Sequence, residues 1–114
     1  MKDASRSCAA PTIKRLTTSF WGVRSWLAGT ANVLPAEQVA VMQAANSGDP
    51  FPARDLFDKI LPWVQAMESG SYNQKAKLGV GHFGIDCGPV RQPLLALDPG
   101  AAAELLAVLK LVTA

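Results

Sequence analysis

The sequence predicts a mostly helical chain, with four helices and one short extended segment near residues 26–32. Three observations carry that prediction. Alanine and leucine supply 31 of the 114 residues, and both favour helix. Nine glycines and eight prolines divide the chain into segments with definite ends. From Ala53 to Met67 the apolar residues recur at steps of three and one, as on one face of a helix. A hydrophobic content of 49%, a charged content of 18% and a mean hydropathy of +0.15 fit a globular chain rather than a disordered one. At 12.1 kDa there is room for one domain that buries roughly two-thirds of its unfolded surface.

Residues 1–20 show no sustained apolar periodicity and are read as a disordered leader. Trp26 to Leu34 is a short, mostly apolar stretch closed by Pro35, the pattern of a strand buried on both faces. Such a strand needs neighbours, and no second convincing strand is visible. Pro35 at a first-turn position and Glu37 near the positive end of the dipole open a helix. It runs through Val39, Met42 and Ala45 and stops at Asn46, Ser47 and Gly48. The second helix begins at about Pro52 and carries the stripe of Ala53, Leu56, Phe57, Ile60, Leu61, Val64 and Met67. Pro62 inside it removes a backbone hydrogen bond and predicts a bend. Residues 73–83 form a weaker helix, since Gly79 and Gly81 each cost up to ~1 kcal/mol relative to alanine. Cys87 to Pro93 is a loop stiffened by two prolines. Asp98 as N-cap and Pro99 behind it open the last helix, with Leu105, Leu106, Leu109 and Val112 on its buried face.

Charge excludes one class of partner. Lys2, Arg6, Lys14, Arg15 and Arg24 stand against Asp3, a balance of +4 within a total of +2, so residues 25–114 carry −2. The basicity lies in the leader, and no folded face with interleaved aromatics follows, so no nucleic acid is expected as partner. The longest uninterrupted apolar run, Leu105 to Leu109, is far too short for a bilayer, so no membrane is expected either. Cys8 and Cys87 are expected to be reduced thiols in a cytoplasmic protein, because no apolar signal segment follows the N-terminal charges.

The residues also carry a resemblance. Gly22–Pro35 (GVRSWLAGTANVLP) is similar to the eighth barrel strand and following turn of the dihydrodipicolinate synthase and N-acetylneuraminate lyase family. Ala44–Asp49 (AANSGD) resembles the helix end that follows, and Ala53–Pro62 (ARDLFDKILP) the next helix, interior proline included. Gly84–Leu95 (GIDCGPVRQPLL) resembles the loop into the last helix. No one motif decides it; their order and spacing over residues 21–112 do. Ser25 departs from the family's usual glycine, and Gly29 from the hydroxyl residue of the sialic-acid-cleaving branch.

The resemblance implies that the chain corresponds to the last strand and helix of a (β/α)8 TIM barrel plus the C-terminal helical segment. The unmatched leader is 1–20, the strand and helix are 21–48, and the helical segment is 49–114. It also implies a pyruvate-dependent lyase or synthase in which a lysine forms a Schiff base with a 2-oxo acid and a carbon–carbon bond is made or broken. That lysine, on the sixth strand, the proton-relaying tyrosine, on the fifth, and the carboxylate-binding loop after the second all precede the matching region. Tyr72, the single tyrosine, sits between predicted helices and matches none of them. Lys77 aligns with a structural helix lysine. Leu27 is the one position carried over to the substrate pocket, through its backbone carbonyl, because barrel sites gather at strand C-termini. No catalytic residue, metal ligand or cofactor is expected.

The remaining candidates have plain readings. His82 has no catalytic or metal partner in sequence and is read as structural or solvent-facing. Cys87 lacks a nearby histidine or second cysteine. Arg91 is read as a helix cap or salt-bridge residue. Trp21, Trp26 and Trp63 stand at core or interface positions, or at a patch bared by truncation. The expectation is a C-terminal fragment of a synthase-like enzyme, inactive alone, with pyruvate a ligand of the complete family protein only. The alternative is a helical interaction module that self-associates or docks on a full-length homologue. A third reading, an enzyme split over two chains, requires a partner supplying seven strands.

Overall fold

The computed structural model describes residues 8–9 and 25–114. Ser25–Trp26 (β2) pairs in parallel with Cys8–Ala9 (β1), in register Cys8 to Ser25 and Ala9 to Trp26. The strand at Trp26 therefore has a neighbour inside the stretch read as a leader. The disorder expected for the rest of that leader, and the place of Trp21, lie outside the described residues.

The extended segment predicted through residue 32 is shorter than the sequence reading. It ends at Trp26, and Gly29–Asn32 is a 3-10 turn. The Asn32 side-chain amide donates to the Gly29 carbonyl at 2.8 Å, and the amides of Val33 and Leu34 both donate to the Thr30 carbonyl at 3.2 Å. A local side-chain bond of this kind offers the backbone an alternative to a strand ladder. The apolar run is thus buried through a turn: Thr30, Val33 and Leu34 are buried, whereas Leu27 is 80% exposed.

Pro35–Asn46 (α1) follows, with Pro35 at its start and Glu37 in its first turn. The turn and α1 pack together. Gln38 sits in that contact, fully covered, and its Nε2 donates to Thr30 Oγ1 at 2.8 Å. A buried amide of this kind fixes register because its donors need partners. The helix stops where the Ser47 hydroxyl donates to the Ala44 carbonyl at 2.7 Å and Gly48 takes φ of 93°.

The next helix, Pro50–Glu68 (α2), begins two residues before the predicted Pro52. Asp49 explains the difference: its Oδ1 accepts from the Phe51 amide at 3.1 Å, and Pro50 has no amide to leave unpaired. Of the predicted stripe, Ala53, Phe57, Ile60, Val64 and Met67 are buried, and Leu56 and Leu61 at its margin are half-buried. Pro62 lies inside the helix, which continues to Glu68. The described residues fall into two compact units that divide at this position, the first ending at Leu61 and the second beginning at Pro62.

In the second unit, Tyr72–His82 (α3) is preceded by Ser71 in the left-handed region, φ 50°. Pro99–Thr113 (α4) opens on Asp98, whose Oδ2 accepts from the amides of Gly100 at 2.9 Å and Ala101 at 3.2 Å. The helices α3 and α4 pack together. Leu105 and Leu109 are buried on α4, and Gly79 on α3. Trp63, Val64 and Met67 supply the buried apolar residues at the end of α2.

Candidate functional site

A groove of about 860 Å³ lies in the second unit. Its sides are the face of α3 that carries Gln74, Lys77, Leu78 and Gly81, the segment from Asp86 to Leu97, and Ala102 and Leu106 of α4. The segment is irregular because Pro89 and Pro93 interrupt it and Gly88 takes φ of 62°, after Gly84 at φ 89° has ended the preceding turn.

The polar centre of this site is Lys77. Its Nζ donates to the carbonyls of Cys87 at 2.7 Å, Pro89 at 2.9 Å and, more weakly, Gly88 at 3.4 Å. One turn earlier, Gln74 Nε2 donates to the Leu95 carbonyl at 2.9 Å. Three N–H donors therefore face three carbonyl acceptors, and an ammonium donating in three directions has no lone pair turned toward a carbonyl carbon. Lys75 is similarly engaged, donating to the Ala66 carbonyl at 2.6 Å and Ser69 Oγ at 2.8 Å.

The other sequence candidates divide. His82 and Cys87 both line the groove and both are exposed. The imidazole sits edge-on to Phe83, with centroids 5.4 Å apart, and the thiol lies 3.8 Å from the Ile85 carbonyl. Arg91 does not cap or bridge as expected. It is exposed, and among the described residues no hydrogen bond or ion pair engages its guanidinium; its carbonyl instead accepts from the Leu94 amide. Leu27, the substrate-pocket position implied by resemblance, is exposed just beyond β2 and is not among the lining residues. Among the described residues no group of three metal-ligating side chains occurs. No described helix is long and apolar enough to cross a membrane.

Tyr72 is the first residue of α3, not an interhelical residue as the sequence suggested. Burial raises its pKa above the ordinary value of 10.0, and the nearby Glu68 carboxylate adds to the shift. The folded state thus holds the phenolic proton more tightly than the unfolded state. Its contribution to stability is constant below the unfolded pKa and is lost as pH rises through the folded one. Because Tyr72 is the single tyrosine, phenolate absorbance reads it alone. The titration midpoint is expected above 10 in buffer and back at the ordinary value in urea. Equal midpoints in the two solvents would remove the burial argument.

Gln74 was not visible as a functional residue in the sequence. The acceptors of Gln74 and Lys77 lie 21 and 10–12 residues further along the chain, so no local pattern announces them.

The chain is similar to known proteins over most of its length. No family model matches the chain. It is 36% identical over 90 residues to 4-hydroxy-tetrahydrodipicolinate synthase 1 of Streptomyces coelicolor, a match covering 75% of this chain and 29% of the relative. It is 33% identical over 84 residues to an uncharacterized DapA-like lyase of Halobacterium salinarum, covering 74% and 28%. Both matches fall in the C-terminal part of the relatives. The chain corresponds to the C-terminal part of the dihydrodipicolinate synthase and DapA-like lyase family. It spans less than a third of the length of these relatives.

Solved structures show a likeness over the same part of the chain. A Pseudomonas aeruginosa protein whose assignment as a dihydrodipicolinate synthetase is provisional superposes with a TM-score of 0.81 at 27% identity, covering 87% of this chain and 34% of that one. Dihydrodipicolinate synthase of Oceanobacillus iheyensis, at 21% identity, shares the fold with a TM-score of 0.76 over 85% of this chain and 33% of its own. The mostly helical architecture and the likeness to the C-terminal portion of a synthase-like chain are thus the sequence expectations that the comparisons carry.

Proposed function

We propose that this chain is the C-terminal portion of a cytoplasmic, pyruvate-dependent Schiff-base lyase or synthase, comprising the end of its TIM barrel and the helical segment beyond. On this reading these residues carry none of the reacting groups, and the chain alone is inactive. The observation that supports it most is the combination of a match confined to the C-terminal part of the relatives with a groove lysine committed to three carbonyls. Borohydride reduction in the presence of pyruvate is expected to leave the chain unmodified. A pyruvyl-lysine adduct at one defined lysine would overturn the inactive reading.

A second reading is favoured by the exposed apolar side chains of Phe83, Ile85 and Leu95. Exposed apolar surface of this kind suits association, and the chain would then act as a helical module that self-associates or docks on a full-length homologue. Light scattering of the same preparation separates the two readings. A concentration-dependent oligomer supports the module, and a monomer at all concentrations with no borohydride adduct supports the inert portion.

A further inference from the structure

Residues 85–97 cross from the end of α3 to the start of α4 with few bonds of their own. Within the segment, the Leu94 amide donates to the Arg91 carbonyl at 3.1 Å, and the Gly88 amide to Asp86 Oδ1 at 2.8 Å. Both bonds are local and tie the segment to nothing else. Burial holds it weakly, because Val90 and Leu97 are the partly covered residues and Ile85, Leu94 and Leu95 are exposed. Among the described residues, the bonds reaching it from a helix come from two side chains of α3, Lys77 and Gln74. A separation of three residues puts the two on one face of the helix, a turn apart.

We propose that Lys77 and Gln74 form a two-point clasp, and that residues 85–97 are a strap held by it as one wall of the groove. Lys77 grips the near end at Cys87, Gly88 and Pro89, and Gln74 the far end at Leu95. These four carbonyls need donors, and the rigid, proline-containing backbone of the strap supplies none for them. The ammonium is the stronger anchor because charge-assisted hydrogen bonds are about twice as strong as neutral ones. With the ammonium gone, the carbonyls at 87–89 turn to water, the strap swings out and the groove opens. The helices α3 and α4 keep their own packing, since the clasp residues lie on the groove side and Leu105, Leu109 and Gly79 are buried without them.

Arg91 makes the clasp measurable, being the single arginine of the strap. An arginine-specific endoprotease must pull its substrate into an extended form, so its rate follows local opening. Arg54, on α2, serves as the internal reference in the same full-length chain. In Lys77→Met, which keeps the aliphatic stem, cleavage after Arg91 is expected to rise about tenfold or more, as loss of bonds from a charged donor implies. In Gln74→Leu it is expected to rise several-fold. In both variants cleavage after Arg54 and the helical circular dichroism stay at wild-type values. The proposal is overturned if a variant that keeps wild-type helicity shows no change at Arg91, or if Arg54 accelerates equally. Should Lys77→Met lose its helicity, the Gln74→Leu arm alone decides in the same way.

Discussion

Replacing Trp63 with alanine is expected to lower the free energy of unfolding by about 3–5 kcal/mol. The side chain is 0% exposed and is the largest fully buried one among the described residues, near the end of α2. Alanine at this site forfeits the transfer free energy of the indole and leaves a cavity that the surrounding helices fill only in part. The indole Nε1–H has no hydrogen-bond partner among the described residues, which sets up a second arm. Trp63→Phe keeps much of the apolar volume and deletes the unpaired donor, so it is expected to cost well under the alanine loss. Urea denaturation followed by far-ultraviolet circular dichroism measures both without relying on indole fluorescence. A loss below about 1 kcal/mol for the alanine variant would place Trp63 outside the core.

Helix positions were legible where periodicity and caps agreed. The stripe from Ala53 to Met67 and the Asp98–Pro99 start are local signals: the helix forms and five of the seven stripe residues are buried as predicted, and the last helix opens at Asp98–Pro99. The start of α2 moved from Pro52 to Pro50 because two prolines compete for the first turn, and Asp49 resolves the choice in favour of the earlier one. The hydrophobicity of the stretch 26–34 suggests a strand, but that property is common to buried strands and buried turns. The discriminating feature was already present as Gly29 and Asn32, whose hydrogen bond closes the 3-10 turn, but a single Asn three residues after a Gly is a weak signal in isolation.

The site was less legible than the fold. Lys77 could be placed on a helix, yet its partners are backbone carbonyls, which every residue possesses and no sequence pattern distinguishes. The same holds for Gln74, one of several amide residues until the Leu95 carbonyl is brought to it. The motif that resembled the loop of the synthase family, Gly84 to Leu95, turns out to be the segment those two side chains hold. The likeness in sequence and the hydrogen bonds thus meet in one place. The prolines that helped make the loop recognisable have no amide hydrogen to donate, and side chains from α3 donate to its carbonyls.

The helix α4 provides a test of register with an internal control. Leu109 is 0% exposed and Leu111 is 70% exposed, two residues apart on the same helix. Leu109→Ala is expected to cost about 2–5 kcal/mol, as buried leucine truncations do, whereas Leu111→Ala is expected to fall within about 0.5 kcal/mol of wild type. Helix propensity hardly confuses the comparison, because both changes replace leucine by alanine, whose propensities lie close together. The hydrogen bond from Thr113 Oγ1 to the Leu109 carbonyl, 2.8 Å, involves backbone and survives the substitution. The difference between the two variants therefore isolates the packing of one side chain in the second unit. Urea denaturation of both proteins under one set of conditions measures it. Equal losses would mean that α4 does not present Leu109 to a core, and the buried face of the helix would have to be reassigned.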